Sequence, residues 1–136
     1  MENQKNSRGL NIGLWIAQII LGAMFTMAGI MKATQPAEAL MEAIPWANAT
    51  PIALLRFIGI SELLGGLGLL LPSLLRLKPR LSVWAAIGLM TVMLLAALFH
   101  VSRAEYSDIG MNILLMSIAA FIAWGRSKKV PISARY

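Results

Sequence analysis

Six polar side chains interrupt a chain that is otherwise strongly apolar: Gln18, Lys32, Arg56, Glu62, His100 and Asn112. A carboxylate, an imidazole, two cations and two amides are the groups from which proton relays and ligand hydrogen bonds are built. Glu62 is the most telling of them. It lies inside the run PIALLRFIGISELLGGLGLLLP, from Pro51 to Pro72, which also carries Arg56. That run is long enough to cross a bilayer core as a helix. A charge at that depth costs about 2.5–3.5 kcal/mol on insertion scales. Glu62 shares a helix stripe with Gly59 and Gly66, spaced three and four residues away, and small residues of this kind let helices approach closely. The spacing therefore aims a polar group into a tight bundle. Arg56 and Glu62 are six residues apart and so point about 120° away from one another, which favours a partner for Glu62 on another helix. Lys32, Arg56 and His100 are the charged candidates. A protonated Glu62 bonded to Asn112 or Gln18 is an equal alternative.

The elements that must position these groups are four apolar runs. Of 136 residues, 58% are hydrophobic and only 13% charged, about half the charged share of a soluble domain. Mean hydropathy is +0.71. These values predict an all-α membrane protein: one domain over residues 1–136, with transmembrane helices near 10–31, 52–71, 81–100 and 108–125. The first run exceeds the 7–15 apolar residues of a signal peptide, so it reads as a membrane span. Gln18, Gly22, Thr26, Gly29 and Ala33 form a small-and-polar stripe along it, in which Gln18 and Thr26 read foremost as packing residues. The segment between the first two spans predicts a short interfacial helix starting after Pro36 and ending at Pro45, with Trp46 as an anchor. Pro72 is expected to stop the second span. Residues 125–136 read as a basic, unstructured tail.

The charge pattern sets an orientation. Nine Lys and Arg residues lie in the amino tail, the 73–80 loop and the carboxyl tail, against two, Lys32 and Arg103, in the other loops. By the positive-inside rule both termini are cytoplasmic, and the 32–50 and 101–108 loops face outward. The net charge of +6 is then a topology signal rather than a nucleic-acid footprint. The absence of cysteine excludes a disulfide framework, a thiolate-held iron–sulfur cluster and a CxxC relay. A single His argues against a self-contained histidine metal site. In this orientation Lys32, Arg56, Glu62, His100 and Asn112 all fall in the outer half of the bundle, and the inner half has almost no polar residues. The expectation is an outward-opening polar pocket with Glu62 at its floor. Snorkelling and helix capping account for Lys32, His100 and Asn112 without any function, whereas Glu62 is too deep for either.

The stretch GISELLGGLGLLLP with the preceding Arg56 resembles the signature of the DoxX and DoxX-like membrane proteins. Gly29 and Lys32 at the end of the first span, an Ala- and Met-rich third span closing at His100, and Asn112 in the fourth agree with it. The resemblance covers about Gly13 to Trp124. It implies a four-helix inner-membrane bundle. Some members resemble subunits of thiosulfate:quinone or quinol-linked oxidoreductases, some act with redox-maturation proteins, and eukaryotic relatives resemble assembly chaperones. Three functions follow as expectations. One is a membrane subunit or accessory of a redox system, with a quinone against Glu62 and His100 and with Lys32 and Arg56 setting the local potential. The second is a non-enzymatic assembly or scaffold protein. The third is a small proton-coupled transporter, working as a homodimer with Glu62 as its exchanging carboxyl. The expected partners are the bilayer, other membrane or redox proteins, and a second copy of the chain.

The orientation is testable with periplasmic and cytosolic reporter fusions. A phosphatase reporter placed after Asn48 or Ser107 is expected to be active, and one placed after Leu77 or Ser133 inactive.

Overall fold

A computed structural model describes residues 2–135, with side chains from residue 7 onward. It has five α-helices and no strand among the described residues. Helix α1 covers Glu2–Thr34, α2 Ala37–Ala43, α3 Ile52–Leu75, α4 Arg80–Ser102 and α5 Tyr106–Trp124. A 3-10 turn, Pro45–Ala49, follows α2, and a π-helical turn, Gly125–Lys129, follows α5. Four of the helices are long and apolar enough to cross a membrane. They run antiparallel in chain order. α1 packs most extensively against α3, α3 against α4, and α4 against α5. The contact between α1 and α5 is thin and leaves a shallow apolar cleft of about 330 Å³ lined by Gly13, Ala17, Ile20, Ser117 and Phe121.

Composition explains the arrangement. The interior is a strip of Leu21, Phe25, Leu69, Leu89, Met93 and Ile122 with Ala86 and Ala119. The outer face is equally apolar, with Met27, Phe57, Leu64 and Trp84 each at least 66% exposed. Apolar side chains on both faces of a helix suit lipid on one side and protein on the other. With no solvent-driven gain between such helices, association depends on close packing. Glycine supplies it where α1 crosses α3. A Cβ on Gly59 would lie 2.7 Å from Lys32 Cβ and 2.8 Å from the Ala33 nitrogen. One on Gly66 would lie 2.6 Å from the Thr26 nitrogen and 2.8 Å from the Gly22 carbonyl oxygen. The two backbones thus touch along the stripe read from the sequence.

The predicted short helix is present as α2. Leu40 on α2 is buried with Ile44, Ala47 of the following turn and Leu55 of α3, so the 35–51 connection folds onto the end of the bundle. Three expectations need correction. Pro72 does not end α3, which continues to Leu75. Proline removes an N–H from the helix ladder, and in a membrane neighbouring side chains can satisfy the backbone around it. The carbonyl next to the one that Pro72 leaves without a donor, that of Leu69, accepts from Gln18 Nε2 (2.7 Å) and from Ser82 Oγ (3.3 Å). The chain turns only at Arg76, which adopts a left-handed conformation (φ 56°). Helix α1 is longer than predicted at its start, and the short polar opening is helical from Glu2. The carboxyl segment is not an unstructured tail. The Arg135 amide donates to the Arg76 carbonyl (2.8 Å), and Arg76 Nε donates to the Ser133 carbonyl (2.8 Å).

The glycine contact sets an expected outcome. Gly66→Leu drives a side chain into the α1 backbone and should abolish the monodisperse species on size exclusion in detergent. Gly88→Leu, at a position with open space around it, should leave that species intact.

Candidate functional site

The polar residues fall into two groups at opposite ends of the bundle. At the end formed by the 35–51 and 103–105 connections, Lys32 and Glu62 make a bidentate ion pair. Lys32 Nζ donates to Glu62 Oε1 at 2.9 Å and to Oε2 at 2.8 Å. Their side chains are 12% and 4% exposed. The geometry has a local origin. Lys32 is in the last turns of α1, Glu62 is near the middle of α3, and the Gly59 crossing brings the two helices close enough for a lysine stem to span them. Arg56 Nη1 donates to the Lys32 carbonyl at 3.0 Å. That carbonyl belongs to the group at a helix C-terminus that lacks an intrahelical donor, and a cation there also suits the helix dipole.

Trp46, in the 3-10 turn, roofs the pair. Its ring centroid lies 5.7 Å from Lys32 Nζ. The same ring meets Phe99 and His100 edge to face, both at 6.1 Å. The aromatic contact therefore joins α4 to the ion pair between α1 and α3. His100 is buried, and its Nδ1 lies 2.9 Å from Glu105 Oε2. Arg103 donates to the other oxygen of Glu105. The hydrogen bonds from Arg103 and then His100 hold the Glu105 carboxyl below the usual carboxylate range. Asn112 is buried in α5, one turn beyond Asp108, and its Nδ2 has no hydrogen-bond partner among the described residues.

Gln18 does not belong to this group. It lies fourteen residues before Lys32 on α1, about 21 Å along the helix axis. Its neighbours are at the end where the chain termini lie. Arg126 Nε donates to Gln18 Oε1 at 2.6 Å, and Arg126 Nη1 donates to Asn11 Oδ1 at 2.6 Å and to the Val130 carbonyl at 3.1 Å. Gln18 Nε2 in turn donates to Ser73 Oγ at 3.1 Å, and Ser73 and Ser82 share a hydrogen bond of 2.7 Å. Arg126 is 4% exposed, and its guanidinium carbon lies over the Trp15 ring, 5.1 Å from the centroid. This end of the bundle is therefore polar inside, contrary to the expectation of a nearly apolar inner half. The π-helical turn explains it. It carries the chain past Trp124 while keeping Arg126 directed into the bundle, and Gly125 lets it close against Leu14, whose Cδ2 would lie 2.5 Å from an added Cβ.

Of the six residues singled out in the sequence, Lys32, Arg56 and Glu62 meet directly. His100 joins them through Trp46, Asn112 makes no side-chain hydrogen bond through its Nδ2, and Gln18 sits at the other end. Sequence reasoning missed Arg126, Ser73, Ser82 and Glu105. Arg126 stands in the run GRSKK, where nothing separates a buried arginine from its solvated neighbours. Ser73 falls in the 73–80 stretch that reads as a loop, and Ser82 is the second residue of the predicted third span, where a lone serine gives no sign of a partner.

Four membrane-crossing helices held by a buried lysine–glutamate pair and a glycine crossing define a polytopic integral membrane protein of four-helix type. The chain belongs to the DoxX-like family, whose family model matches residues 16–122. No curated protein and no solved structure shows significant similarity to it.

Breaking a buried pair by removing one partner leaves an uncompensated charge and costs about 3–5 kcal/mol, whereas replacing both partners by apolar groups can be neutral. Lys32→Met and Glu62→Leu alone should each lower unfolding free energy in mixed micelles by an amount of that order. The double variant should recover most of the loss.

Proposed function

We propose that the protein is a membrane-embedded accessory subunit of a quinone-linked redox system, and that its own polar core holds the bundle together rather than carrying out chemistry. The observation that supports a non-catalytic role is the Lys32–Glu62 pair. Both carboxylate oxygens of the one residue that snorkelling cannot explain are engaged by an internal cation. Arg56 is likewise engaged by a carbonyl, His100 by Glu105 and Gln18 by Arg126. A transporter needs a carboxyl that exchanges its proton with substrate, and a Glu62 held twice by Lys32 is poorly suited to that. The redox association rests on the resemblance to quinol-linked oxidoreductase subunits and on membership of the DoxX-like family. In this reading the termini are cytosolic, and the Trp46 turn and the 103–105 turn face outward.

A second reading has one observation in its favour. The Asn112 amide is buried with Nδ2 unpartnered among the described residues. An unmet donor at membrane depth is the kind of group that a quinone carbonyl oxygen satisfies. In that case the bundle itself binds the quinone, with Asn112 as its donor.

Quinone content, thermal stability and co-purifying proteins of the detergent-extracted protein separate these readings. The accessory role predicts a stoichiometric membrane oxidoreductase partner after in-cell cross-linking, with no quinone retained by the isolated chain. Glu62→Gln should then lower the melting temperature. One quinone per chain, lost on Asn112→Leu with the melting temperature unchanged, would establish the second reading instead. Neither partner nor quinone would overturn both.

A further inference from the structure

The α4–α5 hairpin brings together three side chains that the Lys32–Glu62 pair does not use. His100 is in the last turn of α4, Glu105 immediately precedes α5 and Asp108 is in the first turn of α5. The turn between the helices is short, and Ala104 adopts a left-handed conformation (φ 57°) that folds Glu105 back towards His100. His100 Nδ1 lies 2.9 Å from Glu105 Oε2 and 3.9 Å from Asp108 Oδ2. One ligand atom from each residue lies within 4.8 Å of the other two.

We propose that His100 Nδ1, Glu105 Oε2 and Asp108 Oδ2 form a divalent-cation site, with zinc the metal whose chemistry fits best. Imidazole nitrogen and carboxylate oxygen bind zinc at about 2.0–2.2 Å in tetrahedral geometry, which places neighbouring ligand atoms about 3.4 Å apart. The two separations from His100, 2.9 and 3.9 Å, lie on either side of that value. Three protein ligands leave the fourth position for water, and the side chain of Asp108 is 53% exposed on the solvent side. The surroundings supply what a zinc ligand set needs. His100 is fixed by the Trp46 and Phe99 rings. Arg103 donates to Glu105 Oε1, which orients the carboxylate, and Oε2 faces His100 Nδ1, so a metal would take the place of that hydrogen bond. A cation bound between the two carboxylates would offset their mutual repulsion, which Arg103 relieves only from the Oε1 side of Glu105. Because only one His is available, the site is built mainly from carboxylates, a combination that a search for histidine and cysteine spacing does not find. This inference does not depend on the accessory role proposed above.

Zinc added to chelator-treated, detergent-purified protein tests it, with binding read by titration calorimetry and by metal analysis after dialysis. The expected result is one zinc per chain, weakening as the solution is acidified, because the ligands must be deprotonated. His100→Ala and Asp108→Asn should each weaken binding by roughly tenfold or more. Asp108 is exposed, so its substitution leaves the fold intact if His100→Ala does not. The Glu38→Gln/Glu42→Gln pair, on exposed carboxylates of α2, should bind as the parent does. Equal binding by parent and Asp108→Asn, loss in the α2 pair, or no saturation at one zinc would overturn the proposal.

Discussion

The Lys32–Glu62 ion pair is the constraint that sets the register of the bundle. Each charge alone is unfavourable in hydrocarbon, and each is tolerable only while the other is in place. The pair therefore fixes which helices must be neighbours and in what register. It lies where Gly59 lets α1 and α3 touch, so charge compensation and backbone contact occur at the same crossing. Moving α3 along α1 by one turn would separate Lys32 from Glu62 and bring side chains into the glycine contacts. Two independent penalties oppose the same slip.

The connections extend this register to the remaining helices. Trp46 rests on the lysine from above and on Phe99 and His100 from the side, so the 35–51 segment is more than a link between spans. At the other end, Arg126 reaches Gln18, and Gln18 reaches Leu69 and Ser73, so α5 is tied to α1 and α1 to α3 by polar contacts. The thin direct contact between α1 and α5 is thus compensated near their ends. Polar groups at both ends hold an assembly whose middle is packed by Leu21, Phe25, Leu69 and Leu89.

Much of the fold was legible in the sequence because a bilayer restricts the choices. Long apolar runs, a proline-started short helix and glycine stripes each have few structural solutions in lipid, and all three are seen. Glu62 was legible for the same reason, since a deep charge requires a partner. The choice of Lys32 over Arg56 and His100 was not, because it depends on the distance a lysine stem spans at one helix crossing. Pro72 misled because a membrane helix can continue past a proline, and here the chain turns only at the left-handed Arg76. Arg126 was hidden by its context. Three cations within four residues carry an orientation signal as a group, and only tertiary packing picks out the one that is buried. Gln18, offered in the sequence as one alternative partner for Glu62, instead meets Arg126, which the sequence did not single out.

The Arg126–Gln18 hydrogen bond has a consequence for the order in which the chain is built. Its partners are separated by 108 positions. During synthesis α1 enters the bilayer with Gln18 lacking that contact until the last span has emerged. The partners of the Lys32–Glu62 pair are separated by only 30 positions, so they are both available well before Arg126 is synthesised. Arg126 then acts as the closing latch. In a chain interrupted before it, Gln18 would keep its contacts to Leu69 and Ser73 through Nε2 while Oε1 lacked its donor, so the last turn completes a buried amide that α3 satisfies only by half.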